Sequence, residues 1–127
     1  MLADTPAVAT IAVKYVAAAR RFYEGSLGLK PAGGDEPPGV MSYESNGSRL
    51  LIYESQFAGT NKATAATWIV GDQIESIVKT LKGKGVPFEH YDMSGLKIEG
   101  DIHVGGDNMK AAWCKDPDGN ILALVGG

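Results

Sequence analysis

The sequence predicts an α+β fold of two βαβββ modules packed together around a cleft. The chain says nearly the same thing twice. Ala9-Thr10-Ile11-Ala12-Val13 is matched by Ala66-Thr67-Trp68-Ile69-Val70, and Leu27-Gly28-Leu29 by Lys84-Gly85-Val86, at a constant spacing of 57 residues. A period close to half of a 127-residue chain means two copies of one supersecondary unit. Within each copy a strand-like run gives way to helical spacing and then to further short strand-like runs. One copy alone is too small to bury its own apolar face, so the two are expected to share a core. Residues 1–127 are read as one domain, with module one at about 8–55, a linker at about 56–64 and module two at about 65–127.

The first strand is expected over Val8 to Val13, which is rich in β-branched residues. Val16, Ala19, Tyr23 and Leu27 fall at helical spacing, and Gly28 sits where a helix C-terminal glycine belongs. Leu29 to Ala32 continues as a short strand, and Gly33 to Gly39 reads as a turn or loop. Val40 to Glu44 and Ser48 to Ser55 form a hairpin around Asn46-Gly47, a pair suited to a type I′ turn. In the second copy Ala66 to Val70 is a strand, Gln73 to Lys82 a helix and Val86 to Glu89 a strand. Residues 91–107, with glycines at 95, 100, 105 and 106, are expected to be a long loop, and such loops often cover a site. Met109 to Lys115 and Asn120 to Val125 close the module around Asp116-Pro117-Asp118-Gly119, whose residue types suit a tight turn rather than catalysis.

Composition narrows the function classes. Apolar residues make up 44% and charged residues 21%, as in ordinary folded domains. A net charge of −3 with scattered basic residues argues against nucleic acid as a partner. One cysteine, Cys114, allows no intrachain disulfide and no cysteine-based zinc cluster, and its strand context reads as a buried hydrophobe. No run approaches the ~20 apolar residues of a membrane span. The amino terminus lacks the basic and apolar regions of a signal peptide, so a cytoplasmic protein is expected.

Two segments carry a family resemblance. Phe22-Tyr23-Glu24-Gly25-Ser26-Leu27-Gly28-Leu29 and Asp116-Pro117-Asp118-Gly119-Asn120 resemble segments of the vicinal oxygen chelate superfamily. That superfamily holds glyoxalase I, bleomycin-resistance proteins and extradiol dioxygenases. The resemblance runs from about Val8 to Val125. It implies that the two βαβββ modules pair their curved sheets into a half-open barrel, and that a homodimer forms. One such scaffold hosts many chemistries.

The resemblance also implies a divalent metal held by His, Gln or Glu from the first and last strand of each module. The first-strand ligand stands seven residues before the residue that opens the helix. Tyr15 and Asp72 take that opening place, which puts Val8 and Ala65 at the ligand positions. In the last strand the ligand stands three residues after the Asn of the closing turn, and that residue is Ala123. None of the three offers a donor atom. The fourth position lies on Leu50 to Ser55, where Glu54 is the one candidate, as ligand, polar anchor or general base. His90 and His103 occupy no family ligand position; with Glu54, Asp92 or Glu99 they offer an alternative metal set, although structural histidines are commoner.

The expected site is therefore apolar and aromatic, with no metal and no cofactor. Its candidate residues are Thr10, Tyr43, Tyr53, Glu54, Thr67, Trp68 and Trp113. The small Thr10 and Thr67 leave room, and the aromatic side chains can stack on a flat ligand. The function expected is binding of a small apolar or aromatic molecule, for sequestration or resistance. The alternatives are a lyase, isomerase or dioxygenase with an unusual or metal-free site, and a metabolite-sensing regulatory module.

Overall fold

The computed structural model describes residues 1–34 and 36–127. Asp35, in the expected Gly33 to Gly39 turn, lies outside the described residues. Strand β1 (Ala9–Val13) leads to helix α1 (Val16–Arg20), which continues into a π-helical turn over Arg21–Ser26. There Leu27 N–H donates to Phe22 O at 2.9 Å, five residues back, so the helix widens by one residue before it ends. Periodicity alone does not distinguish such a turn from a regular helix.

Strands β2 (Lys30–Pro31), β3 (Val40–Ser45) and β4 (Ser48–Glu54) complete a four-stranded sheet in the order β1-β4-β3-β2. The β3–β4 turn carries Asn46 at φ 46° and Gly47 at φ 87°, as a type I′ turn requires. The second half repeats the plan. It runs β5 (Thr64–Gly71), α2 (Ile74–Gly83), β6 (Phe88–Glu89), then β7 (Lys97–Glu99) and β8 (Ile102–Val104), then β9 (Lys110–Lys115) and β10 (Ile121–Gly126). The order β5-β10-β9-β6 matches that of the first sheet, and β1–β4 and β5–β10 are both parallel pairs. Both helices end on a positive-φ glycine, Gly28 and Gly85, 57 residues apart. Leu29 N–H and Val86 N–H turn back to Tyr23 O and Leu81 O and satisfy carbonyls the helices leave open.

Residues 91–107 are not a structureless lid. They fold a hairpin, β7–β8, and a 3-10 turn over Gly106–Asn108. The short β6 covers β9 only at Trp113 and Cys114, and β8 pairs with Lys110 and Ala111 on the same edge. Backbone groups left over on β9 thus find partners in a run whose own alternation is only three residues long.

The two sheets touch along β1 and β5 and do not close into a barrel. Both helices pack on one side of them. Ile11, Val13, Tyr23, Tyr43 and Ile52 from the first half join Ile74, Val78, Leu81, Cys114 and Leu122 from the second in one buried cluster. Lys84 of the second half donates to Gly25 O and Ser26 O at the end of the first helix. Among the described residues no helix covers the opposite face of either sheet.

The Asp116–Asn120 turn locks the halves together. Asp116 is only 4% exposed and accepts from Tyr23 Oη, from the N–H groups of Asp118 and Asn120, and from Asn120 Nδ2, at 2.7–2.9 Å. Asn120 Nδ2 also donates to Ala12 O, and Lys14 N–H donates to Asp118 Oδ2. This carboxylate is the centre of a buried polar knot rather than an acid at a hairpin tip. Burial, then the Asp116 charge, pushes the Tyr23 phenol far above its ordinary value.

Candidate functional site

The helix-free face is built from alternate residues of the strands. In the first sheet Thr10 pairs with Leu51, and Leu51 with Ser42. In the second, Thr67 pairs with Ala123, Ala123 with Trp113, and Trp113 with Glu89. Thr10 and Thr67 are repeat equivalents, so these two rows correspond. Leu51 therefore stands in β4 where Ala123 stands in β10. The fourth ligand position of the metal-binding pattern is thus Leu51, three residues before Glu54. Val8, Leu51, Ala65 and Ala123 do not fit a divalent ion, which needs oxygen, nitrogen or sulfur donors. Among the described residues no three His, Cys, Asp or Glu side chains cluster as a metal site.

The seven candidate residues divide between the two faces. Thr10, Tyr53, Thr67 and Trp113 share the helix-free face. Val8, Tyr53 and Ile69 leave much of their apolar surface uncovered there, and Ile69 is 87% exposed. Tyr43, Glu54 and Trp68 lie on the helix side. Glu54 pairs with the fully buried Val13, and parity turns it toward α1, where its Oε2 accepts the Val16 N–H at 2.9 Å. It caps a helix and is not an anchor in the cleft. Tyr43 is 1% exposed, stacks near Tyr23 with ring centres 6.2 Å apart, and donates to Glu24 Oε2 at 2.7 Å. Burial and then Glu24 raise its pKa. Trp68 donates from Nε1 to Ser45 Oγ at 3.0 Å, beneath α2.

Trp113 is the organised aromatic of the helix-free face. Its ring meets His103 edge to face at 4.8 Å and Tyr91 at 5.3 Å, and its Nε1 donates to Thr64 Oγ1 at 3.3 Å. His103 is fully buried, and its Nε2 accepts the Tyr91 N–H at 2.9 Å. Sequence reasoning left Tyr91 aside, since nothing in a glycine-rich segment marks its one aromatic as packed. Burial, and next the Glu89 charge, raise the Tyr91 pKa. His90 is exposed and pairs with Asp101 at 2.7 Å, with its ring centre 6.3 Å from that of His103. On the helix side the Cys114 thiol is pushed up to about 12 by burial and then by Asp116, so it stays protonated and unreactive at neutral pH.

A family model described as Glyoxalase/Bleomycin resistance protein/Dioxygenase superfamily matches residues 5–124. No curated protein sequence matches the chain. Solved structures share the fold. A glyoxalase/bleomycin resistance protein from Catenulispora acidiphila is 22% identical, with a TM-score of 0.70 over 96% of this chain and 97% of that one. A glyoxalase/bleomycin resistance protein/dioxygenase from Alicyclobacillus acidocaldarius is 20% identical, with a TM-score of 0.69 over 97% and 91%. A lactoylglutathione lyase from Agrobacterium tumefaciens is 16% identical, with a TM-score of 0.70 over 94% and 91%.

Proposed function

The chain belongs to the Glyoxalase/Bleomycin resistance protein/Dioxygenase superfamily, and from that membership we propose that it binds a small apolar or aromatic molecule on its helix-free face without a metal. The observation that carries the reading is the replacement of all four ligand positions by Val8, Leu51, Ala65 and Ala123 beside an ordered tryptophan. Such a row offers contact area and shape but no Lewis acid, and no step of a metal-assisted reaction is derived from it. Trp113 stacks on the flat part of the ligand, while Thr10 and Thr67 leave space and offer hydroxyl groups. A second copy laid across the exposed Ile69 and Tyr53 would cover apolar surface and form two equivalent clefts, so a homodimer is part of the proposal.

Native mass spectrometry of protein taken gently from cells tests this. The expected result is a bound organic molecule that is lost in Trp113→Ala while the fold is kept. A protein that carries no adduct and takes up none from a panel of small aromatic compounds would count against binding.

A further inference from the structure

A hollow lined mostly by apolar side chains lies on the other side of the sheets from this site. It is a cavity of about 360 Å3, within the ~300–1,000 Å3 range of ligand pockets, between α2, the second sheet and the end of the first helix. Leu29, Trp68, Ile77, Leu122 and Leu124 make its bed. Ser76 and Thr80 of α2 and Lys84, just past its end, form one stripe along the rim and are exposed. Among the described residues no acidic side chain lines it. The Lys84 ammonium donates to Gly25 O at 3.2 Å and Ser26 O at 3.4 Å, and among the described residues it has no carboxylate partner. An ammonium has three donors, so one remains, and two carbonyls do not neutralise its charge.

We infer that this helix-side cavity is a second binding site, for an apolar molecule ending in a carboxylate, with its tail on the Trp68–Leu124 bed and its carboxylate at Lys84. Each half of such a molecule meets its match. The tail covers apolar surface that water wets poorly, and the carboxylate gives the lysine a charged acceptor. A neutral apolar guest leaves the lysine unused, and a purely polar one leaves the bed bare. Trp68 faces this cavity, and its strand neighbour Thr67 faces the opposite side, so the two sites are independent.

The chain has two tryptophans, one at each site. A Trp113→Phe protein therefore reports the cavity through Trp68 emission alone. Titrated with decanoate below its micelle-forming concentration, this protein should show a saturable one-to-one change. Decanol should bind more weakly. Adding Lys84→Met should weaken decanoate roughly tenfold, as loss of a charge-assisted hydrogen bond does, and leave decanol unchanged. Thr80→Phe fills the cavity from an exposed position and should abolish both responses with the melting temperature retained; Ser76→Phe is the second blocking variant if the first unfolds. An unsaturable response to decanoate, equal binding of acid and alcohol, or a response that survives the blocking variants overturns the inference.

Discussion

Trp113 is held on two sides by rings and at its nitrogen by Thr64, which fixes its orientation at low entropic cost to a ligand. Truncating a stacking tryptophan typically removes about 2 kcal/mol or more of affinity. A tryptophan in the core would cost roughly 3–5 kcal/mol of stability instead. Trp113→Ala is expected to show the first pattern, read from denaturant unfolding beside a titration; a loss of stability in the core range would return Trp113 to packing. Glu54 makes the opposite case. Its carboxylate meets the N-terminus of α1, where negative charge is favoured. Glu54→Ala should cost about 1 kcal/mol of stability, as loss of a capping acceptor does, and leave ligand affinity unchanged. A drop in affinity at constant stability would restore it to the cleft.

The β7–β8 hairpin depends on a short ionic clasp at its turn. Asp101 accepts from Lys82 of α2 at 2.6 Å and from His90 at 2.7 Å. The hydrogen bond from Lys82, and next that from His90, hold its carboxyl below the ordinary 3.8. The unfolded chain takes up a proton at Asp101 before the folded one does. The stabilisation is therefore full above about pH 4 and disappears as the pH falls through the lowered folded value. The unfolding midpoint of Asp101→Asn should lie below that of the native chain at neutral pH, with the gap closing under acid. A gap that stays open at pH 2 would show that the clasp works by shape and not by charge. The same clasp holds the hairpin that carries His103 against Trp113, so releasing it should also loosen the aromatic site.

At the scale of the molecule, the two halves interlock through matching turns. The β9–β10 turn docks on β1 and the first helix through Asp116 and Asn120, and the β3–β4 end docks on β5 through Ser45 and Trp68. Because among the described residues no three His, Cys, Asp or Glu side chains cluster as a metal site, purified protein should contain far less than one metal per chain by elemental analysis. Chelator should leave its melting temperature unmoved; a shift of several degrees, or a stoichiometric metal, would sink the metal-free proposal. The exposed Ile69 and Tyr53 should be covered by a second copy, so sedimentation equilibrium at micromolar concentration should give twice the 13.4 kDa chain mass. A monomer mass would leave the cleft open on one side.

The repeat, the order of most strands, the two helices, the glycines that end them and the Asn-Gly turn were written in the sequence, because periodicity and turn chemistry are local; boundaries moved by a residue or two, as for the strand expected over Ala66 to Val70 and found over Thr64–Gly71. Strand parity divides the seven expected site residues, since the neighbours Tyr53 and Glu54, and Thr67 and Trp68, turn to opposite faces. Register was not legible. Whether Glu54 or Leu51 matches Ala123 depends on how β4 slides against β1, and one residue of slip turns a side chain to the other face. The β7–β8 hairpin was equally hidden, since its three-residue strands exist only because β9 has an edge to fill. Tertiary structure alone decided that Asp116 is buried, that Tyr91 and His103 flank Trp113, and that an apolar cavity opens beneath α2. Those outcomes depend on contacts between residues up to a hundred positions apart, and no local pattern encodes them.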